Sequence, residues 1–191
     1  MIDVAVCDYG AGNTRSVISA LGRLTGAARV TASPQDVRVA DLVVLPGVGA
    51  ARSAMAALQT TGLDRALRDR VAAGRPVLGI CLGFQLAAQW SEEDGGVECL
   101  GILPGRVRRL AGRQVPRLGW SLVKPWAEAF YFAHSFAVET AVAVAHSDGV
   151  VAAAARGSFL GVQFHPEKSG PAGERFLAGY LQGLRLQPVV A

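Results

Sequence analysis

The chain has too few cysteines to staple a fold and too little charge to stay unfolded. Cys7, Cys81 and Cys99 form an odd, widely spaced set, which supplies neither a disulfide framework nor a paired metal-ligand motif. A reducing, cytoplasmic setting follows as the expectation, with no metal and no cofactor. Only 18% of the 191 residues are charged and 51% are hydrophobic, so disorder is excluded and a sizeable core is expected. Excess positive charge is scarce too: 19 basic against 15 acidic residues give a net charge of +4. Those basic residues are scattered and not interleaved with aromatics, which argues against a nucleic-acid partner. No run approaches the roughly 18 continuous apolar residues of a membrane span. The segment Met1 to Cys7 lacks a basic start and a long apolar stretch, and reads as a first strand and not as a signal peptide. The length fits one domain over residues 1–191.

What is present is an alternation. Short apolar runs at residues 2–8, 28–31, 41–45 and 76–80 read as strands. Helical spacing follows at 14–24, where Val17, Ile18, Leu21 and Leu24 recur at the 3.6-residue period, and again at 64–73 and 82–90. Ser33-Pro34 and Pro46-Gly47-Val48-Gly49 read as turns. Strands alternating with helices predict a doubly wound, mostly parallel α/β sheet with helices on both faces and chemistry at the carboxyl ends of its strands. After residue 91 the pattern changes to short β-like pieces, predicting an antiparallel section, before a last helix over 173–184.

The sharpest local signal is Gly79-Ile80-Cys81-Leu82-Gly83, set between a buried strand and a helix. This is the thiol form of a nucleophile elbow, in which glycines leave room for a bend that holds the sulfur at the sheet edge. The following helix N-terminus favours a thiolate, and the Leu82 N–H is placed to face a developing oxyanion. Cys7, in an apolar strand, and Cys99, in an irregular segment, have no such setting and read as structural. Among the three histidines, His165 follows the apolar run 159–164 and is followed by Pro166-Glu167. In extended backbone residues i and i+2 share a side, so Glu167 is expected to hydrogen-bond His165 and fix its tautomer. His146, beside Ser147-Asp148-Gly149, reads as a turn residue. A second oxyanion donor is expected from the Gly47–Gly49 turn, through the backbone of Gly49.

Together, G-I-C-L-G-F-Q at 79–85, L-P-G-V-G at 45–49 and G-V-Q-F-H-P-E at 161–167 resemble the class I, triad-type glutamine amidotransferases. Y-G-A-G-N at 9–13, V-P-R-L-G-W at 115–120, Y-F-A-H-S-F at 131–136 and H-P-E-K-S-G at 165–170 narrow the resemblance to the glutaminase subunits of imidazole glycerol phosphate synthases. The resemblance implies attack by Cys81 on the side-chain amide of glutamine, with His165 and Glu167 completing a triad. It also implies substrate contacts from Gln85, Glu93 and the backbone of Ser135 and Phe136. It further implies a heterodimer with a (β/α)8-barrel cyclase subunit that receives the ammonia, with Asn13, Trp120 and Lys168 near the interface or the ammonia exit. Simpler roles stand beside these: a helix N-cap for Asn13, a core aromatic for Trp120, a solvated charge for Lys168 and Glu93. Two departures from the family pattern stand out: Arg117-Leu118-Gly119-Trp120-Ser121 where His-Met-Gly-Trp-Asn is expected, and Phe136 where Tyr is common. Arginines 106, 108, 109, 113 and 117 read either as facing an acidic partner or as a solvated hairpin face. The alternatives are a glutaminase serving another aminating synthase, a free-standing cysteine γ-glutamyl hydrolase, and a binding module that has kept only the fold.

Overall fold

The computed structural model describes residues 2–10, 12–26, 28–112 and 115–186. Arg113, and Ala11 of the Y-G-A-G-N motif, lie outside the described residues. Seven strands form the central sheet in the order Ala143–Ser147, Val150–Arg156, Phe159–Val162, Val77–Ile80, Leu42–Leu45, Val4–Cys7 and Ala28–Thr31. The last five run parallel, and the first two join antiparallel at one edge. The expected mostly parallel α/β sheet is therefore what the chain forms.

Period-two alternation sorts the sheet's side chains to two cores. Ala5, Cys7, Val43 and Leu45 pack with Val37, Leu58 and Leu67 from the helices Pro34–Val39, Ala51–Thr61 and Leu63–Ala72. Val4, Val6, Leu42 and Val44 pack with Val17, Leu21, Leu177 and Leu181 from Thr14–Thr25 and Gly170–Leu186. Both faces are covered, which is why these strands are apolar throughout. Arg70, 1% exposed, is the exception inside one core; its guanidinium donates to the carbonyls of Val37, Asp41 and Pro76 and so ties one helix to two strand ends.

The second half carries a four-stranded sheet of Phe136–Glu139, Arg106–Arg109, Trp90–Ser91 and Val97–Glu98, and a hairpin of Arg117–Val123 with Glu128–His134. Three elements differ from expectation. The helix after Cys81 spans only Leu82–Gln85, because the carbonyls of Leu86, Ala87 and Ala88 accept from Leu100, Leu103 and Gly101 in place of a next helical turn. The helix Ala51–Thr61 carries no start signal in the sequence, since Ala50 gives it no side-chain cap; Glu93, distant in sequence, accepts the Ala51 N–H at 2.8 Å instead. Ser33-Pro34, read as a turn, is the N-cap and first residue of Pro34–Val39.

Candidate active site

The strand Val77–Ile80 ends at Cys81, whose backbone lies at φ 53° and ψ −107°. A non-glycine residue there is strained, and it is held because its surroundings leave no other path. The bend interlocks with the neighbouring strand: a Cβ on Gly83 would sit 1.8 Å from the Leu45 carbonyl oxygen. Cys81 is 5% exposed. Its Sγ lies 3.7 Å from Gln163 Nε2 and 3.9 Å from the Ala133 carbonyl oxygen.

His165 follows the adjacent parallel strand, one position around the same sheet end. Its Nδ1 is 2.8 Å from Glu167 Oε1, with both side chains almost wholly buried. The contact forms as expected but by another geometry: Pro166–Lys168 is a 3₁₀ turn, so the carboxylate reaches Nδ1 from a turn instead of from extended backbone. Ser169 fixes the arrangement from behind, donating its hydroxyl to the His165 carbonyl at 2.6 Å and accepting the Tyr131 N–H at 2.9 Å. Burial pulls the imidazole pKa down, but hydrogen bonds and negative charge from Cys81 and Glu167 outweigh it and lift the pKa from 6.5 to about 9. With Nδ1 committed to the carboxylate, the other ring nitrogen is the one available to the thiol.

A cavity of about 250 Å³ opens beside the thiol. Cys81, Gly49, Leu82, Gln85, Glu93, Ser135 and Phe136 all border it, so these residues singled out in the sequence meet in one place. Gln85 is already engaged, its Nε2 donating to the Phe136 carbonyl at 2.6 Å and to Gln163 Oε1 at 3.2 Å. Glu93 divides its role between the cavity wall and the distant helix cap, and burial raises its pKa. A larger hollow of about 340 Å³ around Trp126, Phe130 and Phe176 is lined by no cysteine, serine, threonine or histidine.

Asn13, Trp120 and Lys168 do not border the cavity. Asn13 caps the helix Thr14–Thr25, accepting from Ser16 N–H. Trp120 is 57% exposed, which removes the core role open to it, and stands edge-on to Tyr131. Lys168 is exposed in the 3₁₀ turn. Of the arginines, Arg117 turns inward, with its guanidinium over the Phe132 ring and paired with Asp148, so it does not present its charge outward. Arg106 and Arg108 lie against Trp90, and Arg108 pairs with Glu92. Among the described residues no cluster of three or more His, Cys, Asp or Glu is placed to hold a metal, and no helix is long and apolar enough to cross a membrane.

Four residues at the site carried no assigned role in the sequence. Gln163 and Ser169 lie within the motifs around His165. His134 borders the cavity, and its Nδ1 is 2.9 Å from the same Phe136 carbonyl that Gln85 uses. Burial, with Arg117 and His165 nearby, outweighs that hydrogen bond and depresses the His134 pKa to about 4, so the neutral ring donates through Nδ1–H. The fourth is Tyr9, buried beneath the Pro46–Gly49 turn.

The class-I glutamine amidotransferase family model matches residues 5–181. The imidazole glycerol phosphate synthase subunit HisH of Nitrosococcus oceani is 44% identical over 204 residues, covering 95% of this chain and 97% of that one. That of Methanothermobacter thermautotrophicus is 42% identical, covering 95% and 99%. A crystal structure of a glutamine amidotransferase superposes with a TM-score of 0.78 at 22% identity, covering 95% of this chain and 97% of that chain, a likeness of fold. A family match running through elbow, turn and histidine motif alike, with relatives aligned end to end, makes the chain a member of the class I glutamine amidotransferases.

Proposed function

We propose that the chain is the glutaminase subunit of an imidazole glycerol phosphate synthase, acting in histidine biosynthesis. It hydrolyses glutamine to glutamate and ammonia and hands the ammonia to a (β/α)8-barrel cyclase subunit, which forms imidazole glycerol phosphate and aminoimidazole carboxamide ribotide. The observation that carries the glutaminase chemistry is the buried His165–Glu167 pair at 2.8 Å beside a cysteine held at a strained elbow. The names of its relatives support the synthase assignment, and the family match over residues 5–181 supports a single amidotransferase domain.

In this mechanism the Cys81 thiolate attacks the γ-carbonyl carbon of glutamine, and the electron pair of the C=O bond moves to oxygen. That oxyanion is met by backbone N–H groups of Leu82 and Gly49. Collapse breaks the C–N bond as His165 gives the nitrogen a proton, releasing ammonia and leaving a γ-glutamyl thioester and a neutral imidazole. His165 then takes a proton from water, which attacks the thioester; the C–S bond breaks, and glutamate leaves with the thiolate restored. The raised His165 pKa suits the first half of this cycle, because the imidazolium must exist beside the thiolate before it can donate. Ser135 and Phe136, with Gln85 and Glu93, form the substrate wall.

The partner surface in this reading is the outer face of the hairpin, where Leu118, Trp120 and Leu122 stand 65%, 57% and 48% exposed. Leu118 also borders the cavity, so a subunit seated there would cover its rim. Asn13 and Lys168 are assigned to the edge of that contact, and the assembly is a one-to-one heterodimer. The test is a glutaminase assay of the complex with Cys81→Ser. Glutamate release should fall by about 10³-fold or more, while cyclase turnover with added ammonia persists. Glutaminase activity surviving in this variant would remove Cys81 as nucleophile. Full activity from the isolated chain would favour a free-standing hydrolase.

A further inference from the structure

The Pro46–Gly49 turn is held from below as well as from the side. Tyr9 is 5% exposed and donates its phenol O–H to the Pro46 carbonyl at 2.7 Å, across 37 residues of sequence. Burial is the main reason that the phenol stays protonated, so it is a donor at any working pH. At Gly47 the turn has no slack on either side. A Cβ on Gly47 would lie 2.7 Å from the Tyr9 hydroxyl, 2.7 Å from the Leu82 Cβ and 2.9 Å from the Gly83 nitrogen. Gly47 is therefore a spacer between the phenol and the elbow. Two residues later Gly49, at φ 98°, reaches the cavity wall beside Cys81.

From this geometry we infer that Tyr9 is a positioning residue for the oxyanion site, its phenol anchoring the Pro46 carbonyl and thereby setting where the Gly49 N–H stands relative to Cys81. The inference rests on the glutaminase reading given above. Peptide planes are rigid and pivot at Cα, so fixing the Pro46 carbonyl on one side and wedging Gly47 against Leu82 on the other sets the base from which Val48 and Gly49 project. Preorganised donors stabilise a transition state because they need no reorientation as charge develops. Loss of the phenol hydroxyl would free the turn to rotate and would also leave a buried carbonyl without its donor. Tyr9 does not touch the reacting atoms. Its effect falls on the step in which the carbonyl oxygen becomes negative, and not on the binding of glutamine.

That distinction sets the experiment, made on the assembled enzyme with its cyclase partner. Tyr9→Phe keeps the ring and removes only the hydroxyl. Three quantities are compared with the parent: kcat and KM for glutamine, the affinity of glutamine γ-semialdehyde, and the rate of Cys81 alkylation by iodoacetamide. The aldehyde forms a thiohemiacetal: the thiolate adds to carbon, the C=O pair moves to oxygen, and that oxyanion needs the same donors as the transition state. Iodoacetamide reacts by displacing iodide and needs none. We expect kcat and aldehyde affinity to fall together by about 10- to 100-fold, with KM within about twofold and alkylation unchanged. p-Aminophenylalanine at position 9, which restores an N–H donor, should recover most of the loss. Unchanged kcat and aldehyde affinity would overturn the inference, as would a parallel fall of all three quantities with the thermal midpoint. A parent enzyme that neither cleaves glutamine nor captures the aldehyde would instead refute the glutaminase reading, and this inference with it.

Discussion

The strand Val77–Ile80 and the strand Arg117–Val123 both end at the cavity, yet they treat their side chains in opposite ways. Every residue of the first is buried, and it lies in the sheet between Leu42–Leu45 and Phe159–Val162. The second pairs only with its hairpin partner and exposes its large apolar residues, Leu118, Trp120 and Leu122. Its inward positions carry Arg117, Gly119 and Ser121, which lie across from His134, Phe132 and Phe130. A strand stabilised by its own core buries its apolar face; one that presents that face to solvent is shaped by something outside the chain. One strand serves the fold and fixes the Cys81 elbow; the other, in the function proposed above, forms a rim for a second subunit.

The comparison is broken most severely at Gly83. A methyl group there meets backbone, the Leu45 carbonyl at 1.8 Å, and backbone cannot swing aside as a side-chain tip can. Gly83→Ala should therefore push the elbow away from Leu42–Leu45, costing about 4 kcal/mol or more and leaving little folded, active protein. Denaturant unfolding with a parallel thiol-reactivity assay measures both effects. A variant of parental stability and activity would mean that the elbow is looser than its packing implies.

How much of this was legible follows the same division. The elbow could be read because strand end, bend and cysteine occupy five consecutive residues, and His165–Glu167 because one residue separates the partners, even though the turn joining them is 3₁₀ and not extended. The parallel sheet was legible from its uniformly apolar runs. Contacts across the sequence were not: Glu93 capping Ala51–Thr61, Tyr9 holding Pro46, and His134 sharing the Phe136 carbonyl with Gln85 join residues that only the folded topology brings together, apart from the short His134–Phe136 step. The short helix Leu82–Gln85 belongs with these, since its apolar continuation was helical in period and was stopped by carbonyl bonds to residues 100–103.

On the hairpin's inner face the difference from the outer rim can be measured by pH. His134 is neutral in the folded state, with a pKa of about 4 against 6.5 unfolded. Between those values the unfolded chain binds a proton that the folded chain refuses, so stability from this group is full above about pH 6.5 and is lost as pH falls towards 4. The shift corresponds to a loss on the order of 3 kcal/mol. His134→Gln should remove that slope from the difference between the two unfolding curves, carboxylate titrations being common to both. His165 acts in the opposite sense: its raised pKa gives stability that is full below 6.5 and lost as pH rises through about 9. Equal acid slopes in parent and His134→Gln would show that the ring takes up its proton without resistance.

The smallest expected effect belongs to the outer face, where it isolates the rim's purpose. Trp120 contacts Tyr131 edge-on but keeps 57% of its surface in solvent, so Trp120→Ser removes little buried area and should change the unfolding free energy by less than about 0.5–1 kcal/mol. In the proposed heterodimer the same substitution would remove an aromatic at the centre of the apolar stripe, and interface aromatics are where binding energy concentrates. A loss of about 1.5 kcal/mol, roughly tenfold in Kd, is expected by calorimetric titration. Ammonia-independent properties of Cys81, such as its alkylation rate in the free chain, should stay as they were. If binding is unchanged and stability falls instead, the stripe supports its own hairpin, and the two strands differ less than their exposures suggest.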